Sequence, residues 1–265
     1  MNLRKAGIPT IALVTISLAS TLCCFAAPVT KQSPQPVNKN GEKPKSAHPT
    51  AMPSMSVDID TTGIAKSTKV QIVPKEKYDK EEEIVHLNGA PQHVKVIFDG
   101  KKVESDNDFM DQHLLIYPIK EWEATFPPMF KKEFNKRISD LKKMIATKSG
   151  AGLKELPILP DSDGAELLHS KIKPLAFKSG SGITFIACYG NGDGPYKADD
   201  FFYTFQGITA DGKNYVSFFW PVTATGMKPD TEQKKAEKFI EDLPRAKFSP
   251  SLEALDKAVS SISIK

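Results

Sequence analysis

Apolar residues at helical spacing mark the clearest element of the chain. Phe130, Phe134, Ile138, Leu141 and Ile145 recur at intervals of four, four, three and four, behind Pro127 and Pro128 and ahead of Gly150. One apolar face at this period predicts a helix over residues 129–147. Ala236, Phe239, Ile240 and Leu243, closed by Pro244, predict a second over 231–243. Leu252, Leu255, Val259 and Ile262 carry a third, with Ser249 expected as its N-cap and Pro250 at its first helical position.

Elsewhere the period drops to two. Residues 69–73, 93–98 and 114–117 read as strands, the second ending at the turn Asp99-Gly100 and the third at Pro118. Residues 170–177, 182–189, 200–208 and 214–222 follow as a run of strands. The connections 179–182 and 209–213 are short, and the latter holds Asp211-Gly212. Short connections of this kind make an antiparallel meander. The expected class is α+β, a meander of about four to six strands packed with about three helices.

The beginning of the chain follows a different pattern. Arg4 and Lys5 precede an apolar stretch, Ile8 to Leu22, that leads to Cys24, Phe25 and Ala26, which is the layout of a signal peptide over residues 1–26. Residues 27–66 are rich in Pro, Lys, Ser and Thr and hold no aromatic side chain, so they are expected to form a disordered tether. Residues 67–265 are expected to form a single α+β domain. Removing residues 1–26 takes Arg4 and Lys5 from 36 basic residues, leaving 34 against 32 acids, a net charge of +2. A charge so near zero gives no reason to expect nucleic acid as partner.

Cys188 would be the single thiol of the processed chain, so no internal disulfide is expected, although export leads to an oxidising compartment. A lipid anchor on Cys23 or Cys24 is the alternative to cleavage near Ala26. It fits less well, because Ser20 and Leu22, or Thr21 and Cys23, occupy positions that favour a leucine-like and a small residue. No transmembrane helix is expected in the processed chain.

Three segments resemble a group of exported bacterial proteins and lipoproteins of unknown function. They are Leu156-Pro-Ile-Leu-Pro160, then residues 175–189 with Phe177, Gly180, Gly182 and Tyr189, then Phe202-Tyr-Thr-Phe-Gln-Gly-Ile-Thr-Ala-Asp-Gly-Lys-Asn-Tyr-Val-Ser217 with Pro221 and Val222. The likeness spans about 70 residues. It implies a bacterial, exported, single α+β module and supplies no catalytic residues.

Alternation places Phe201, Tyr203 and Phe205 on one face of a strand and Phe202, Thr204 and Gln206 on the other; Tyr215, Ser217 and Phe219 alternate with Val216, Phe218 and Trp220. Apolar residues on both faces fit either a sheet covered on both sides or a face left open as a platform for a sugar, lipid or peptide. The platform reading nominates Tyr203, Phe205, Gln206, Tyr215 and Trp220, with Asp193 from the glycine-rich loop 190–199. Its function would be non-catalytic recognition of an envelope component or partner protein.

The rival is an envelope hydrolase drawing its acids from Asp193, Asp199 or Asp200. Adjacent residues of a strand point to opposite faces, which counts against Asp199 and Asp200 cooperating. Neither loop 190–199 nor 161–164 has the ligand order of an EF-hand. His48, His86, His93, His113 and His169 fall in no zinc-spacing motif, so no metal or cofactor is expected, though His86 and His93 flank the Asn88-Gly89 turn. A Cys188–His169 nucleophile pair would need the fold to join the two. Lys131, Lys132, Lys136, Arg137, Lys142 and Lys143 make the 129–147 helix basic, which suits a solvated back or an anionic surface.

Overall fold

Two antiparallel meanders join into one sheet. In the computed structural model, residues 55–76, 89–150, 155–162, 164–192 and 194–265 are described. The first meander is β2 (Thr68–Val73), β3 (His93–Phe98) and β4 (His113–Pro118); the second is β5 (Ala165–Phe177), β6 (Gly180–Gly190), β7 (Phe201–Thr209) and β8 (Asn214–Ala224). Their order across the sheet is β2-β3-β4-β8-β7-β6-β5, so the last strand of the second meander pairs with the last of the first. A two-residue strand, β9 (Phe248–Ser249), pairs with the end of β8. The class is α+β, with ten strands among the described residues, more than the expected four to six. Three of them, β9, β1 (Val57–Asp58) and β10 (Ser263–Ile264), are too short to leave an alternation in the sequence.

Both faces of the sheet are covered. On one lie α3 (Gln233–Asp242) and α4 (Leu252–Ser261), whose Ala236, Ile240, Leu255 and Val259 pack on Val96, Phe201, Phe218 and Trp220. On the other lie α1 (Ile119–Glu123) and α2 (Pro128–Thr147), with Trp122, Phe134, Ile138 and Leu141 against Tyr117, Phe185, Phe202 and Phe219. This explains why apolar residues stand at consecutive positions of β7 and β8. The open platform is therefore absent: Tyr203, Phe205, Gln206, Tyr215 and Trp220 are all buried. Phe205 lies across the paired glycines Gly182 and Gly207, where an added Cβ would come within 2.6 Å and 2.5 Å of its ring.

Three boundaries differ from expectation for physical reasons. Residues 55–66, expected in the tether, belong to the fold: Val57 pairs with Ile264, and Met55, Ile59 and Ile64 pack on the core. Residues 27–54 lie outside the described residues, as do residues 1–26, the expected signal peptide. The N-cap of α4 is Ser251, whose side chain accepts from the Ala254 N–H at 3.2 Å, because Ser249 is taken up pairing with Thr223 of β8. β5 begins five residues before the expected strand, its alternation interrupted by register shifts at Glu166/Leu168 and Ser170/Lys173. No helix among the described residues is long and apolar enough to cross a membrane.

Candidate functional site

One end of the sheet carries a groove of about 620 Å³, walled by loop 105–110, the end of β6 and the loop that leads into β7. That volume lies within the range of small-ligand sites, roughly 300–1,000 Å³. Its floor is aromatic. Phe109 stacks on Phe219 with centroids 4.7 Å apart at 6°, and meets Tyr189 edge-on at 5.2 Å and Phe202 at 5.1 Å. Met110, 42% exposed, stands at the rim.

Among the described residues three carboxylates line the groove, Asp108, Asp199 and Asp200, and no Lys or Arg does. Asp108 accepts from the Met110 N–H at 3.0 Å and Asp200 from the Lys197 N–H at 2.7 Å, which fixes each in its turn. Asp199 is exposed and Asp200 half-buried. Both lie in the turn before β7, so the strand alternation that argued against their cooperating does not apply. Asp193 lies outside the described residues.

The groove wall is held from behind by a buried polar cluster. Asp106 Oδ2 lies 2.8 Å from His93 Nε2 and accepts the Tyr117 hydroxyl at 2.8 Å, while its Oδ1 pairs with Lys95. The His93 Nδ1 side faces the Pro91 carbonyl at 2.9 Å, and His113 Nε2 meets the Asp106 carbonyl at 3.2 Å. β3 and β4 point His93, Lys95, His113 and Tyr117 to one face, where loop 99–112 crosses above them. The His86–His93 approach involves a residue outside the described ones, and His93 itself is engaged by Asp106.

Burial pushes the His113 imidazole down to about 4, only partly offset by the charge of Asp106. The folded state thus keeps His113 neutral, while the unfolded chain takes up a proton near pH 6.5. Stability is expected to fall as pH drops through the window from 6.5 to about 4, by up to about 3 kcal/mol. His113→Gln should flatten this slope in urea midpoints compared at pH 7 and pH 4.5; an unchanged slope would remove His113 as its source.

Cys188 reaches the groove floor as a poor nucleophile. Burial, then the nearby charge of Asp200, raises its thiol to about 11. Cys188 pairs with Leu168 across the sheet, so the neighbouring His169 points to the opposite face, where Glu166 Oε1 lies 2.5 Å from its Nδ1. The imidazole–thiolate pair is not formed. No group of three metal-ligating side chains occurs among the described residues.

The predicted aromatic residues belong to the two core layers and do not line the groove. Phe205 and Trp220 face α3 and α4, and Tyr203 donates to Asp256 at 3.0 Å. Gln206 accepts the Tyr215 hydroxyl at 2.5 Å and the Leu159 N–H at 3.3 Å. The lining residues missed from the sequence are Asp108, Phe109, Met110 and Tyr189. The one visible signal for Asp108, Phe109 and Met110 is an aromatic residue inside the acidic run Asp106-Asn-Asp-Phe-Met-Asp111. Compared with known proteins, the chain matches no family model, no curated protein and no solved structure.

Proposed function

We propose that the protein is an exported, non-catalytic binding module of the cell envelope whose groove holds a ligand bearing an amine or guanidinium group. The observation that carries this reading is the combination of an aromatic floor with three lining carboxylates and, among the described residues, no lining cation. The rings supply contact area and favour a cation over their faces. The carboxylates supply charge-assisted hydrogen bonds. The signal-like residues 1–26 support export, and a lipid anchor at Cys23 or Cys24 is the alternative mode of retention.

Titration calorimetry with trilysine tests it. Binding is expected to weaken as salt rises and to fall about tenfold or more in Asp199→Asn/Asp200→Asn, since charged hydrogen bonds contribute roughly 1.5–3 kcal/mol each. Asparagine at 200 keeps an acceptor for the Lys197 N–H, so the melting temperature should hold. Equal affinity in the double variant, or no binding to wild type, would reject the reading. The placement of Asp199 and Asp200 on one groove favours a second reading, an envelope hydrolase with these acids. It requires turnover of a bound oligosaccharide that either single Asp→Asn change abolishes.

A further inference from the structure

The two edges of the sheet are built differently. β5 closes one edge and is broken by two register shifts, with Lys171 at φ 59° in the second. Such irregularities hinder another strand from pairing there. β2 closes the other edge with six consecutive pairs to β3, from Thr68 opposite Phe98 to Val73 opposite His93, and with no irregularity. Among the described residues nothing pairs with its outer side.

β2 also carries uncovered apolar surface. Val70 and Ile72 are 46% and 62% exposed and share one face of the strand. They stand opposite Val96 and Val94, which belong to the core under α3 and α4. The apolar face of the sheet therefore runs out past the layer that covers it. An added strand would both satisfy the open backbone edge and extend that face.

We propose that the added strand is β2 of a second copy of this chain, running antiparallel and centred on Gln71. In that register Val70 stands across from Ile72 of the second copy, and Ile72 across from its Val70. Four apolar side chains then gather on one face. Lys69, the one charged residue of β2, comes opposite Val73 of the second copy, so the two lysines do not meet. Beyond the strand ends, exposed Glu76 comes opposite exposed Lys66 of the second copy, giving one opposite-charge match at each end. A register centred on Val70 would instead set Ile72 against Thr68 and lose both features. The two sheets become one continuous sheet across a twofold axis.

Light scattering of the full chain tests the pairing. The expected result is twice the 29.1 kDa chain mass. Ile72→Lys puts a lysine across from each Val70 and should give the single-chain mass at an unchanged melting temperature, because position 72 is exposed. Under mild oxidation Gln71→Cys should form a disulfide between the two substituted positions, mapped by peptide mass spectrometry. Thr68→Cys should not, since that position would lie about 20 Å from its own copy at roughly 3.3 Å per residue. A single-chain mass for the wild type at high concentration would overturn the proposal. So would a dimer that survives Ile72→Lys without the position-71 disulfide.

Discussion

Replacing Asp106 by alanine is expected to cost about 3–5 kcal/mol of stability, the range for removing one member of a buried ion pair. The carboxylate is the shared acceptor of His93, Lys95 and Tyr117, and its removal leaves a buried imidazole, an ammonium and a hydroxyl without their partner. Urea denaturation measures the loss directly; a change below about 1 kcal/mol would show that water replaces the carboxylate at little cost.

The same residue has a pH signature. Burial raises the Asp106 carboxyl, but hydrogen bonding and charge from His93 and then Lys95 outweigh it, and the group sits well below the usual carboxylate range. A depressed folded value means that its contribution is fully present above about pH 4 and is lost as pH falls further. Asp106→Asn should therefore lack this acid-side decline. Because loop 99–112 crosses the cluster, the variant should also weaken ligand binding in the groove while leaving Asp199 and Asp200 in place.

The second large effect is expected at Trp122. Its ring stacks on Tyr117 at 4.0 Å and 26° and meets Phe134 at 5.4 Å and Tyr215 at 5.9 Å, fully enclosed between α1, α2 and the sheet. Truncation to alanine is expected to cost about 3–5 kcal/mol through lost burial and the cavity left behind. A helix of five residues cannot hold itself in water, so α1 depends on this anchor. A urea midpoint within error of wild type for Trp122→Ala would contradict the packing described.

These two residues also show what was legible in the sequence. α2 was readable because its apolar residues keep one face over twenty residues, and the strands of the second meander because turns with Asp-Gly or Gly-Ser-Gly punctuate them. α1 was not, because five residues carry no period. The covering of both sheet faces was legible only as an ambiguity: alternating aromatics at Phe201–Phe205 do not reveal whether a helix lies above them. Asp106 and Phe109 left only an aromatic residue inside an acidic run, and such a loop reads as solvated until β3 and β4 are seen to place His93, Lys95 and Tyr117 beneath it. The groove arises from loops far apart in the chain, and such proximity is a property of the sheet order, not of any single segment.

An amide chemical-shift titration of the full chain with trilysine tests most directly whether the groove binds a cationic ligand. Saturable shifts confined to Asp108, Phe109, Met110, Tyr189, Asp199 and Asp200, shrinking as salt is added, are the expected result. Shifts centred elsewhere, or none up to millimolar peptide, would contradict it.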